Sequence, residues 1–336
     1  MAKDFGRVTL QDIAKATGFT VNTVSRALKN KDDISHETCL HIQQVARDMG
    51  YVRNYIASSL RSGRTKTIAM ITGSMMNPYY AILGDLIQQE AVRLGYSLMI
   101  LCSRDDPDAE VQMVEMALSR QVDGVLITPC SFESPALGLL RDSGIPFVLL
   151  SRYLEGSRDD CVYCDDEQGG YLAGSHLIEK GHRNLAMISF RHVVFSSRKR
   201  FDGFQRACLE AGVPAGNIHY AEPERFEDIP SQLASWLAEG VTALFAFCDV
   251  EAWSSITLME NAGLMKDGGP DIVGFDNILR YVNFPKPICT IDPHLRDEAV
   301  TAIDLLRRRI HEPSLPPQQV ILPVTLVCRG SCGRGG

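Results

Sequence analysis

Val8–Arg64 reads VTLQDIAKATGFTVNTVSRALKNKDDISHETCLHIQQVARDMGYVRNYIASSLRSGR. Thr9 precedes LQDIAKAT with Asp12 three residues on, which predicts a capping box in which Asp replaces the usual Glu. Leu10, Ile13 and Ala14 give that first helix an apolar face. Gly18 suits a tight turn. Thr20 can cap a second helix, Val21 to about Lys29, with Val24, Ala27 and Leu28 facing inward. Ser35 can cap a third, about His36 to Met49, with Leu40, Ile42, Val45, Ala46 and Met49 as expected core contacts and Gly50 as its stop. Three short helices with a glycine turn between the first two make a helix-turn-helix. Its second helix is expected in the major groove of duplex DNA.

The outward positions of that helix are Val21, Asn22 and Arg26. Asn pairs bidentately with adenine, Arg with guanine, and Val offers apolar contact to a thymine methyl. Thr9, Thr20, Thr23, Ser25 and Tyr51 suit phosphates, which fix register but carry no sequence information. Leu10, Asn30, Asn54 and Tyr55 complete the candidate DNA-facing set. Asn54–Arg61 (NYIASSLR) is weakly helical, and an isolated helix this short is marginal in water. Either it folds only when docked, with Leu60 wedged between base steps in the minor groove, or it is a linker with a buried leucine.

Charge distribution agrees with a DNA-reading head. Net charge is −7. Yet residues 1–66 carry eleven Lys/Arg against six Asp/Glu, leaving −12 for the rest. A basic head on an acidic body implies two functions in one chain. The length of 336 residues allows two to three domains. With 45% apolar and 22% charged residues the chain reads as globular. No apolar run has the length of a bilayer span, and MAKDFGRVTLQD lacks an apolar signal core. Ten scattered cysteines read as reduced thiols, so a cytoplasmic location is expected.

From Thr67 onward TIAMI, SLMILC, GVLIT, FVLLS, LAMISF, ALFAFC and DIVGF alternate with helical stretches such as YYAILGDLIQQEAVRLG and DEQGGYLAGSHLIEKG. Near-continuous apolar strands separated by helices predict two doubly wound parallel sheets.

Here the residues meet a family. The chain resembles the lactose-repressor-type bacterial transcription regulators along nearly its whole length. The likeness is carried by VTLQDIAKATGFTVNTVSRAL, ISHETCLHIQQVARDMGYVRNYIASSLRSGRTKTIAMI, NPYYAILGDLIQQEAVRLGYSLMI, VDGVLITP, IPFVLLSR, GYLAGSHLIEKGHRNLAMIS, RFDGFQRAC and DIVGFDN. The resemblance implies an all-α three-helix head over 1–53 and a hinge helix and linker over 54–66. A two-lobed α/β body similar to periplasmic sugar-binding proteins follows over 67–326. The first lobe takes about 67–165 and 293–323, the second about 166–292 and 324–330, so the chain crosses between lobes near Asp165, Asp292 and Val324. Residues 327–336 are expected to be disordered. In the family Val21, Asn22 and Arg26 stand at base-reading positions, Leu60 at the intercalating leucine and Ala57 beside it in the minor groove. The resemblance further implies a homodimer on a pseudo-palindromic operator, and repression more often than activation. A small effector in the interlobe cleft would control operator affinity. No apolar heptad segment follows Val324, so a dimer is expected rather than a tetramer.

Ligands of α/β sheets bind beyond the carboxyl ends of strands. That rule selects Ser74, Tyr79, Tyr80, Ser151, Arg198, Arg200, Cys248, Asp249 and Asp276, and the family adds Phe226 as a stacking aromatic. Three positions depart from the family pattern: Ser151 replaces an aspartate, Cys248-Asp249 replaces Asn-Asp, and two arginines stand at 198 and 200. Either the arginines grip an anionic effector, a sugar acid or sugar phosphate, or they pair with Asp159, Asp160 or Asp166. A neutral sugar is the third effector class.

Other signals are weaker. Cys161/Cys164 and Cys328/Cys332 suggest a four-cysteine zinc site, but CVYC alternates as a strand, so no metal is assigned. His176 and His182 are six apart, poor spacing for one helical face, and read as structural. Asp105, Asp106 and Asp108 read as a solvated turn with a helix cap. No GxGxxG, Walker loop or GxSxG is present, so no cofactor is expected. A sugar-transport component would share the body but not the head. An enzyme would need more than the Cys248-Asp249 pair.

Overall fold

The computed structural model describes residues 8–52, 63–131, 133–154, 156–189, 195–223, 228–265, 269–283 and 286–332. The chain divides into two units, 1–65 and 66–336. The hinge candidates Asn54, Tyr55, Ala57 and Leu60, and Phe226, lie outside the described residues.

In the first unit, helices α1 (Leu10–Thr17), α2 (Val21–Ala27) and α3 (His36–Asp48) enclose Ile13, Val24, Ala27, Ile42 and Ala46. The capping box forms as the sequence predicts. Thr9 N donates to Asp12 Oδ2 at 2.9 Å, and Asp12 N donates to Thr9 Oγ1 at 3.3 Å. Gly18 takes φ 74°, a left-handed conformation that would strain a residue with a Cβ. One inward position differs from expectation: Leu40 is 50% exposed, and Cys39 packs inward in its place. Cys39, Ile42 and Ala46 follow the i, i+3, i+7 rhythm of the buried face, and Leu40 falls one step off it.

The second unit holds two six-stranded sheets. The first lobe contains β1 (Thr67–Thr72), α4 (Pro78–Arg93), β2 (Ser97–Cys102), α5 (Pro107–Ser119), β3 (Gly124–Ile127), α6 (Pro135–Ser143), β4 (Phe147–Leu150) and β5 (Cys161–Cys164). The second contains α7 (Asp166–Glu179), β6 (Leu185–Ile188), α8 (Phe195–Glu210), β7 (Ile218–Ala221), α9 (Ile229–Ala238), β8 (Ala243–Ala246), α10 (Asp249–Asn261), β9 (Asp271–Phe275) and β10 (Cys289–Asp292). The chain then returns through α11 (Leu295–His311) and β11 (Gln319–Leu322) to the first sheet, and crosses to the second as β12 (Thr325–Val327). Strand orders are β11-β5-β4-β3-β1-β2 and β12-β10-β9-β8-β6-β7. Among the described strands all pairs are parallel except β10 with β12. Both faces of a parallel sheet are covered by helices, which is why TIAMI, FVLL and LAMI are unbroken apolar runs. Order reverses between β1 and β3 in one sheet and between β6 and β8 in the other, and such switch points open crevices at the strands' carboxyl ends.

The expectation of disorder from 327 onward is corrected for residues 327–332. Val327 pairs with Thr290, Ser331 Oγ accepts from Cys289 N at 2.7 Å, and Cys332 is 2% exposed. The Gly-rich composition hid a strand edge that supplies those partners. Residues 333–336 lie outside the described set.

Close helix packing positions the second lobe's inner wall. A Cβ built on Gly170 would sit 1.9 Å from Arg200 O, and one on Gly203 1.8 Å from Glu167 O. Only glycine lets α7 and α8 approach backbone to backbone. Gly203→Ala therefore displaces α8, and its melting temperature is expected several degrees below that of the wild type, measured by calorimetry. An unchanged melting temperature would show that the contact relaxes freely.

Candidate nucleic-acid interface and effector cleft

Thr20 Oγ1 accepts from Thr23 N at 3.1 Å and so opens α2 at its amino end. Val21 is 41% exposed, and Asn22 and Arg26 are exposed beside it. Thr9 and Thr20 are exposed, while Leu10, Thr23, Ser25 and Tyr51 are half-buried. Arg26 pairs with Asp33, whose carboxyl the guanidinium holds below its ordinary value. Asp33 was not singled out in the sequence; an acid seven residues after an arginine carries no signal there. Asn30 has φ 51° and its Oδ1 accepts from Gln43 Nε2 at 2.6 Å, which ties α2's carboxyl end to α3.

In the second lobe the α7–α8 contact brings Arg200 Nε to 2.8 Å from Asp166 Oδ1, with side chains 7% and 2% exposed. The guanidinium lies 3.4 Å over the Phe275 ring centroid and 4.3 Å from that of Phe247. Its Nη1 donates to Phe247 O at 2.5 Å. Arg200 is therefore spent on Asp166 and a carbonyl. Arg198 turns to solvent, 74% exposed, and pairs with Asp202 at 3.1 Å. Asp159 and Asp160 take other partners, Arg141 and Arg309. Of the two sequence alternatives, pairing with Asp166 holds for Arg200. Arg198 keeps a solvent-facing pair on its own helix, and Arg200 is buried against Asp166.

Acid dominates what remains. Asp276 is buried with φ 105°, and burial pushes its carboxyl well above the usual range. Asp249 is fully buried, accepts from Thr290 Oγ1 at 2.6 Å and Ile278 N at 2.8 Å, and is pushed by burial up to about 7. Cys248 is buried and its thiol lies well above its ordinary value, again by burial, so it stays protonated rather than nucleophilic. Asp166 Oδ2 has no hydrogen-bond partner among the described residues.

The first lobe faces this wall with Tyr79, Tyr80, Ser151 and Ser74. Tyr79 OH donates to Glu298 Oε2 at 3.0 Å, and Ser151 Oγ donates to Glu298 Oε1 at 2.7 Å. Glu298 sits on α11, is 1% exposed, and is pushed by burial up to about 7. Ser151 thus reaches a carboxylate supplied from a helix 147 residues away in sequence. Tyr80 is buried with its ring edge-on to Tyr79 at 5.1 Å. Ser74 is half-buried, and its Oγ accepts from Met76 N at 3.2 Å. Ser151, Asp276, Asn277 and His294 all have positive φ (62°, 105°, 50° and 56°), and each follows a strand's carboxyl end. Non-glycine residues held there store backbone strain, which gathers at functional sites.

Glu298 and Asn277 were not singled out, and Asp166 was named only as a partner for the arginines. Glu298 and Asp166 stand on helices rather than at strand ends, and Asn277 lies two residues beyond the end of β9. Of the weaker signals, Asp106 caps α5 through Ala109 N at 2.7 Å and Asp105 pairs with Arg152 at 3.0 Å. His182 is bonded to Thr242 at 2.9 Å and Asp271 at 2.8 Å. Cys161 and Cys164 enter different cores. A groove of about 290 Å³ near Arg141, Pro146 and Pro317 lies at the opposite, amino ends of β4 and β5.

Glu298 gives a pH prediction. Its folded pKa lies above the ordinary 4.5, so the folded state holds the proton more tightly, and stability falls as pH rises from about 4.5 to about 7. Glu298→Gln is expected to flatten that fall and to raise the melting temperature at pH 8 relative to wild type. A slope unchanged in the variant would remove Glu298 as its source.

Residues 65–311 match the family model of periplasmic binding proteins and the sugar-binding domain of the LacI family, and residues 9–54 match that of bacterial regulatory proteins of the lacI family. The chain is 30% identical to the HTH-type transcriptional regulator DegA of Bacillus subtilis (strain 168), over 97% of this chain and 98% of that protein. Among solved structures, the Lac repressor dimer bound to operator and the anti-inducer ONPF superposes with a TM-score of 0.82 at 22% identity, covering 97% of this chain and 99% of that one. The CelR–cellobiose complex superposes with a TM-score of 0.69 at 23% identity, covering 97% and 100%. With family models matched across both units and DegA alike over nearly full length, this chain belongs to the LacI family of bacterial regulatory proteins.

Proposed function

We propose that the chain is a cytoplasmic transcriptional repressor without enzymatic turnover. It acts as a homodimer on a pseudo-palindromic operator, and a neutral polyhydroxylated metabolite between its lobes sets its affinity for DNA. Val21 and Asn22 at the start of a capped helix and Arg26 in its last turn, all exposed, support base reading. Exposed Met75, Met76 and Ile100 beside the edge strand β2 support a dimer contact. The Lac repressor dimer on its operator and cellobiose-bound CelR are similar proteins with those partners.

The observation that carries the effector class is the closed Arg200–Asp166 pair in a wall that also holds Asp249 and Asp276. A carboxyl that burial keeps protonated can both donate to and accept from a hydroxyl, whereas an added phosphate or carboxylate finds the Arg200 guanidinium already engaged by Asp166. Tyr79, half-buried and packed edge-on to Tyr80, is the aromatic proposed to stack on a sugar ring. The effector acts only through its differential affinity for the two lobe arrangements, and operator binding changes its affinity by the same factor. A buried, protonated Cys248 and an Asp249 engaged by Thr290 and Ile278 supply no activated nucleophile.

Arg26 must leave Asp33 to reach a base. On an operator selected from random duplexes, Arg26→Ala is expected to lose about 1–3 kcal/mol and relax preference at one base pair. Asp33→Asn is expected to tighten binding, because Arg26 no longer has to break an ion pair. Fluorescence anisotropy across single-base operator variants measures both. An unchanged base preference in Arg26→Ala would place Arg26 on the backbone instead.

A further inference from the structure

Behind the second sheet three sulfur-bearing residues and one histidine meet. β10 and β12 pair antiparallel, with Thr290 opposite Val327, so Cys289 and Cys328 fall side by side at the end of the ladder. Their Sγ atoms are 3.6 Å apart. His176, on α7, brings a ring nitrogen to the pair, so that nitrogen and the two sulfurs all lie within 4.8 Å of one another. His176 is 5% exposed, yet its Nε2 has no hydrogen-bond partner among the described residues. A buried ring nitrogen left without a partner needs an explanation. The turn after Cys328 wraps the same point: Arg329 N donates to Cys289 Sγ at 3.4 Å, and Ser331 Oγ accepts from Cys289 N at 2.7 Å. That turn carries Cys332, 2% exposed, whose thiol neighbours that of Cys289 and now donates to Ile272 O at 3.4 Å.

We propose that His176, Cys289, Cys328 and Cys332 form a binding site for one thiophilic divalent cation of the zinc type. Four-coordinate zinc has Zn–S bonds of about 2.3 Å, which set neighbouring sulfurs about 3.8 Å apart in a tetrahedron. The Cys289–Cys328 separation of 3.6 Å is close to that edge. Cys328 and Cys332 have the short ligand spacing of structural zinc sites, and Cys3His is a common ligand set. A turn of the Cys332 side chain away from Ile272 O completes the set. A Cys289–Cys328 disulfide would use the same sulfurs, but it would leave the buried histidine nitrogen without a partner. The sequence hid the site because its ligands come from a helix, a strand and a turn, and because His176 pairs with the cysteines rather than with His182. Bound metal would fasten residues 328–332 to α7 and so hold β12, the strand that follows the third connection between lobes.

The full-length protein, purified under reducing conditions and supplied with zinc, is the test. The expected result is about one zinc per chain retained through gel filtration. Cys289→Ser and Cys328→Ser are expected to lose it, while Cys102→Ser, a substitution in the other lobe, keeps it. Cobalt(II) exchanged into the wild type is expected to give thiolate-to-cobalt charge-transfer absorption and intense tetrahedral visible bands. That readout needs no variant to fold, and His176→Asn is expected to shift it. Less than about a tenth of a zinc per chain in folded wild type overturns the site. So does metal retention by both serine variants, or mass spectrometry showing a Cys289–Cys328 disulfide under the same reducing conditions.

Discussion

Two charges buried 2.8 Å apart, Arg200 and Asp166, hold the inner wall of the second lobe. Removing either partner of such a pair strands a charge in a poorly solvated site, at a cost of about 3–5 kcal/mol. Their meeting depends on the glycine contact between α7 and α8, and the aromatic walls of Phe247 and Phe275 close over the guanidinium. Arg200 is consumed internally, and Asp276 and Asp249 lie buried in the same wall. Burial then keeps both carboxyls above their ordinary range.

The same cleft joins the lobes physically. Glu298 lies on α11, directly after the second connection between sheets, and takes hydrogen bonds from Tyr79 and Ser151. Asp292, at the end of β10, accepts from Asn277 Nδ2 and from His294 N, both at 2.8 Å. Ser151, Asp276, Asn277 and His294, beyond strand carboxyl ends, also hold positive φ. A ligand that exchanges hydrogen bonds with these groups acts on the crossing segments themselves. That is a physical route by which occupancy alters lobe arrangement.

Much of this architecture was legible in the sequence. Thr9 with Asp12, Gly18, Thr20 and Ser35 are local cap and turn signals, and local signals survive into the fold. The apolar strands were legible because parallel sheets bury both faces. Strand-end residues such as Ser151, Cys248 and Asp276 followed from one topological rule. Chemistry supplied from elsewhere did not. Whether Arg200 grips a ligand or Asp166 depends on a helix crossing set by Gly170 and Gly203. Glu298 enters from far along the chain. Residues 327–332 read as disordered because composition does not reveal that a strand edge awaits them.

The most direct test is thermal stabilisation of the full-length protein by neutral sugars, sugar acids and sugar phosphates, each hit then titrated against operator binding. A ligand that binds only the native state raises the melting temperature in proportion to the logarithm of its excess over Kd. The cleft described here predicts that a neutral sugar binds most tightly, that the same sugar changes operator affinity, and that Asp276→Asn weakens both effects together. An anionic sugar as the tightest ligand, or a stabilising sugar that leaves operator affinity untouched, would contradict it.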